Sequence, residues 1–240
     1  MLIEVCANSL QSALNAEKAG AHRIELCSEL AVGGITPSYG LLKAVREKVG
    51  IPVHVLIRPR SGDFTYSDGE FEIMRADIAI CRDLGFDGIV SGVLKKDYSL
   101  DVKRTKTLIE ASGKLKFTFH RGFDWVKDPM EVLRELENLG ADCILTSGQE
   151  KSAVVGISLL EKLQQNASSL VIMPGGGVKP ENIDVFKDKG FRAAHLSGSQ
   201  FVRTLPNTPR ISMNSPSFLK NDEITVSSVE TIQKVVHAVK

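Results

Sequence analysis

At 240 residues the chain can hold one large domain or two small ones, and 42% hydrophobic with 25% charged residues is a globular mix that excludes a disordered polymer. Thirty Lys plus Arg against twenty-nine Asp plus Glu leave a net charge of +1, which supplies no strong field for nucleic acid or an anionic membrane surface. No nucleic-acid motif is present, and no apolar run approaches the roughly 18 residues a membrane helix needs.

In chain order, short apolar, β-branched runs alternate with amphipathic stretches. The pattern predicts a strand over 2–7 (LIEVCA), a helix over 9–19, a strand over 22–28 (HRIELCS) and a helix over 37–48. It continues with a strand over 53–59, helix 68–84, strand 88–94, helix 101–111, strand 116–121 and helix 128–139. Strand 143–148, helix 154–166, strand 170–175, helix 180–188, strand 193–198 and a final helix near 227–239 complete it. Thr36-Pro37 and Asp128-Pro129 read as a capping side chain before a first-turn proline, and Ser67 with Glu70 as a capping box. Gly20, Gly85, Gly140 and Gly190 each stand between a helix and a strand, where a left-handed C-cap requires glycine.

Strand–helix units of about 30 residues, uninterrupted by a linker, predict one (β/α)8 TIM barrel over residues 1–240. A long loop over about 200–226, containing Pro206, Pro209 and Pro216, follows the last strand. Alternation places Ile3, Val5, Ile24 and Leu26 toward the helices, and Glu4, Cys6, Glu25 and Cys27 toward the lumen.

Cys6 and Cys27 then sit on neighbouring strands near the end of the barrel that carries active sites. Two thiolates there suit a soft ion such as Cu(I), with Met173 or a histidine as a third ligand. The plainer reading stands beside it, since cysteine is also a small buried hydrophobe. Cys81 falls in a helix, turned toward the barrel wall. Four scattered cysteines with no C-x-x-C pair fit free thiols in a reducing cytoplasm. Gly175, Gly176 and Gly177 after the seventh strand, with Gly198 and Ser199 after the eighth, suit close backbone approach to an anion or phosphate. Arg58 and His120 at other strand ends complete, with Glu25, an acid–base and anion-holding set, which His195 joins by parity. His54 reads as a satisfied core histidine, Trp125 as a loop anchor, and residues 61–66 as a lid. Lys95 and Lys96, just past a strand, disfavour a Schiff-base enzyme.

Taken together, ELCSELAVGGITPS (25–38), IRPRSGDFTYSDGE (57–70), FTFHRGFD (117–124), LTSGQEKSAVVG (145–156) and MPGGGV (173–178) resemble the CutC copper homeostasis family. Ser61, Gly122 and Gly198 depart from the family pattern, and the resemblance stops near Ser199. It implies a cytoplasmic TIM-barrel homo-oligomer (dimer or tetramer) that handles Cu(I) through Cys6 and Cys27. The residues themselves look more like a barrel enzyme for a small phosphate- or carboxylate-bearing substrate than a metal chaperone, with Glu25, Arg58 and His120 in catalytic roles, and that reading stands as the alternative.

Overall fold

The structure is a computed structural model and describes residues 1–213 and 221–240. Its centre is a sheet of eight parallel strands: β1 (Leu2–Ala7), β2 (Arg23–Leu26), β3 (Val53–Leu56), β4 (Gly88–Ser91), β5 (Lys116–Phe119), β6 (Cys143–Thr146), β7 (Val171–Pro174) and β8 (Ala193–Leu196). Neighbours follow chain order from β1 to β7, and β8 pairs with β1. The ring closes between β7 and β8 through a single parallel bridge, Gly175 to His195. Side-chain absence makes that seam possible: a Cβ on Gly175 would lie 2.4 Å from Leu145 Cδ1.

Helices α1 (Leu10–Lys18), α2 (Tyr39–Lys48), α3 (Asp68–Asp83), α4 (Val102–Ser112), α5 (Pro129–Leu139), α6 (Ile157–Asn166), α7 (Ile183–Asp188) and α8 (Val229–Ala238) surround the strands. Ile3, Val5, Ile24 and Leu26 are fully buried in one apolar layer with Leu42 and Val45 of α2 and Ile232 and Val235 of α8. Each such burial is worth about 1.5–3 kcal/mol, and a one-residue slip would replace these side chains with carboxylates and thiols, so the register is strongly specified. Cys81 is buried in the same layer.

The predicted end signals hold at most helices. Ser67 and Glu70 form a complete capping box at α3, and Asp128 accepts from Met130 and Glu131 N–H at α5. Gly20, Gly85, Gly140 and Gly190 all have φ between +72° and +85°. The α2 start is different. Ser38 caps it, while Thr36 Oγ1 instead accepts from Arg58 N–H at 2.8 Å, tying two barrel-mouth loops together.

Residues 200–226 are not a loop throughout. β9 (Ser199–Arg203) and β10 (Glu223–Ser227) pair antiparallel as a ribbon outside the barrel. Its base is fixed on α1, where Ser227 N–H donates to Ser12 Oγ and Asn15 donates to Ser227 O. Pro216 lies outside the described residues.

Candidate metal centre and barrel-mouth cavity

The lumen is polar from its floor upward. On β1 and β2, Glu4 forms an ion pair with Arg23, whose guanidinium also approaches Met173 Sδ at 3.6 Å. Across the closing seam, His195 Nδ1 lies 2.8 Å from Glu4 Oε1. Burial alone would push the Glu4 carboxyl up. The Arg23 guanidinium, with His195, holds it down at about 2 instead. A carboxylate on Nδ1 leaves Nε2 as the imidazole's ligand atom, the orientation found when a carboxylate backs a metal-binding histidine. Nε2 faces Glu25 Oε2 at 3.8 Å. Burial raises the Glu25 carboxyl, whereas the flanking carboxylates raise His195 against the opposing effect of its burial.

One layer higher, Cys6 Sγ and Cys27 Sγ lie 3.4 Å apart, both free and buried. They pack with Leu56 and Val90 on the lumen side, not against the outer helices. The bond to Cys27, burial and the nearby Glu25 carboxyl raise the Cys6 thiol well above its ordinary value. The loop after β2 closes directly over Cys27. Gly34 (φ +84°) permits this, because a Cβ there would sit 2.7 Å from Leu56 Cδ2 and 3.6 Å from Cys27 Sγ. Ligand atoms of Cys6, Glu25 and His195 all lie within 4.8 Å of one another. The lumen thus brings one thiol, an imidazole and a carboxyl together, while Cys27 Sγ, 3.4 Å from Cys6 Sγ, stands outside that group. Met173, anticipated as a third ligand, lies lower with Cys143 and Leu145, beside Arg23. His195, not Met173, is the residue that joins Cys6 and Glu25 in the cluster.

Above this cluster opens a cavity of about 660 Å³, which Cys6, Glu25 and His195 line from below and Arg58, Phe64 and His120 from the side. Cys27 is set behind Cys6 and does not line it. Arg58 follows β3 and is 5% exposed; it donates to the carbonyls of Val32, Gly34 and Gly62. His120 follows β5, and its Nδ1 accepts from Gly122 N–H at 3.0 Å, so the proton of the neutral ring sits on Nε2. Burial, with the nearby Arg58 charge, pushes His120 down to about 3. The neutral ring thus presents Nε2–H as a donor.

The glycine positions separate. Gly176 and Gly177 line the cavity, Gly175 closes the barrel, and Gly198 and Ser199 lead into the ribbon, outside the lining. The 61–66 segment contributes Phe64, whose ring meets those of His120 and Trp125 at 4.6 and 4.9 Å. Trp125 both anchors that ring and lines the cavity. His54 is buried, but its Nδ1 has no partner, and burial lowers it to about 4. Two functional-looking groups escaped the sequence reading. Arg23 shares the parity of Glu25 and Cys27 and could have been found from it. Asp124 accepts from Thr146, Ser147 and Arg121 at distances of 2.5–3.0 Å, a network no spacing announced.

Comparison with known proteins agrees with this fold. The CutC family model matches residues 1–200. A CutC protein of Edwardsiella ictaluri is 45% identical over 227 residues, covering 94% of this chain and 89% of its own. One from Serratia proteamaculans is 45% identical over 208 residues, covering 87% and 81%. The crystal structure of CutC from Streptococcus agalactiae superposes with a TM-score of 0.78 at 35% identity, covering 82% of this chain and 98% of that one. A thiamine phosphate pyrophosphorylase from Pyrococcus furiosus, 13% identical with a TM-score of 0.62 and covering 99% and 95%, shares the barrel fold alone. This chain belongs to the CutC family.

Proposed function

We propose that the protein captures Cu(I) at the barrel mouth, with Cys6 and Cys27 as thiolate ligands and His195 Nε2 as the third. The observation that carries this reading is the pair of free, buried sulfurs 3.4 Å apart, with the His195 imidazole within 4.8 Å of the Cys6 sulfur. Thiolates favour a soft cation, and imidazole accepts copper as readily as zinc. Leu56 and Val90 give the sulfurs apolar neighbours, with Cys27 fully buried and Cys6 reaching the cavity, an entry route for the ion. Glu4 orients the histidine, and Arg23 keeps Glu4 charged. The Streptococcus agalactiae relative carries the name of a copper homeostasis protein, in line with the same cargo. Free thiols at the site fit a reducing compartment, and we place the activity in the cytoplasm.

Anaerobic competition against a Cu(I) chelator tests the ligand set. Cys6→Ser and Cys27→Ser should each weaken affinity by about tenfold or more, and Cys81→Ser should leave it unchanged. Equal affinities across all three variants would remove the assignment.

A further inference from the structure

We propose that the same cavity has a second binding function: it takes a small organic oxyanion, a carboxylate or phosphate monoester, on the Arg58 guanidinium and the Nε2–H of His120. The first ground is charge. Arg58 is 95% shielded from solvent (5% exposed), and its hydrogen bonds go to three backbone carbonyls. Among the described residues no carboxylate pairs with it. Carbonyl dipoles orient a guanidinium but do not neutralise it, and an uncompensated buried cation is costly enough that proteins normally pair it. Arg121, by contrast, is already paired with Asp124 on the opposite wall. The positive charge left without a counter-ion in this cavity is that of Arg58.

The second ground is two orphaned donors. Arg58 Nε and His120 Nε2 are both buried without a hydrogen-bond partner, as is the neutral Tyr66 hydroxyl beside Arg58, which brings no charge to it. The bond from Gly122 to Nδ1 fixes His120 as an Nε2–H donor, so each of the two groups offers a proton and neither can accept one. A water would take one proton and leave the charge; an oxyanion answers both.

One side chain is common to the two groups. The Phe64 ring lies 4.6 Å from the His120 ring, with Arg58 Cζ 5.1 Å from its centroid. Phe64 belongs to the loop 61–66, half of whose residues are exposed, and its displacement is the movement the proposal requires for a ligand to reach both nitrogens. Gly176 (φ +103°) keeps the facing wall free of side chain, since a Cβ there would stand 3.2 Å from Ser147 Cβ and 3.4 Å from Arg121 Cζ. The ligand's anionic end therefore sits at Arg58, and the rest of it lies in the space bounded by Glu25 and His195.

The test uses the full-length, metal-free protein titrated with inorganic phosphate and, separately, with malonate, each against chloride at matched ionic strength. The readouts are the ¹⁵N resonance of His120 Nε2 and the melting temperature. A saturable shift of that resonance with a rise in melting temperature is expected for at least one oxyanion. Response to phosphate alone assigns the phosphate ester, response to malonate alone the carboxylate, and response to both the shared oxyanion class. Arg58→Gln should weaken the response by about tenfold or more, as a charge-assisted pair is lost, while Arg75→Ala on the exposed face of α3 should not. Arg58 also ties two loops together, so the wild-type His120 resonance is the deciding readout whether or not that variant folds. A resonance that ignores both oxyanions, or follows chloride equally, overturns the proposal and leaves the Cu(I) reading untouched.

Discussion

The proposed Cu(I) site requires Cys6 and Cys27 to give up their protons, and the surroundings of Cys6 oppose that. Its neighbours Cys27 and Glu25 and its burial all favour the thiol over the thiolate, so metal-free protein holds it protonated at neutral pH. Cu(I) affinity should accordingly rise with pH, by about tenfold per unit for each proton released. Chelator competition at pH 6 and pH 8 checks the sign; a flat profile would mean that the thiols are not the ligands. Glu4 makes a second residue-scale case. Glu4→Gln leaves Arg23 charged and buried without its partner and should cost about 3–5 kcal/mol in urea melts. Adding Arg23→Met should recover most of that loss, because an apolar replacement removes the unpaired charge along with the pair.

At the level of the elements, the strand-to-helix turns carry the site. Gly148 and Gly156 approach each other so closely that a Cβ on Gly156 would lie 2.0 Å from Ser147 O. The obstacle is backbone and cannot rotate away. Gly156→Ala should therefore destabilise the protein by about 2 kcal/mol or more and disturb the Asp124 network through Ser147, measurable by thermal melts. The alternation of strands and helices, the glycine C-caps and the inward parity of Glu4, Cys6, Glu25 and Cys27 were legible in the sequence because each depends on local period or local backbone conformation. What was not legible depends on closure. Parity places His195 inward, but only the β8–β1 register sets its Nδ1 beside Glu4. Met173 shares that inward parity, yet its level on the strand seats it beside Arg23, below the thiols. The same limit explains the ribbon: β9 and β10 are short and flank a proline-bearing segment, β9 is exposed throughout, and β10 buries only Val226 and Ser227, too little to impose alternation. Thr36 likewise looked like a helix cap, and a tertiary partner, Arg58 N–H, claimed its hydroxyl.

For the whole molecule, a polar barrel floor makes stability sensitive to acid. His54 and His120 titrate at about 4 and about 3 when folded, below the ordinary 6.5 of an unfolded chain. Between those values the unfolded state binds more protons, so stability falls as pH drops below 6.5. Glu4, held at about 2 against an ordinary 4.5, adds a further loss as pH falls from 4.5 toward 2. Urea melts at pH 7 and pH 5 should show a loss on the order of 2 kcal/mol per histidine, and His54→Gln should reduce the difference by about half. An unchanged difference would mean that His54 is protonated in the fold. At the barrel mouth the proposal places Cu(I) on Cys6, Cys27 and His195. Copper K-edge X-ray absorption on the Cu(I)-loaded full-length protein tests that claim most directly. The account predicts a copper shell of two sulfurs and one imidazole nitrogen that loses a sulfur in Cys27→Ser and the imidazole in His195→Ala. A shell of oxygen and nitrogen alone, or one unchanged by either substitution, would contradict it.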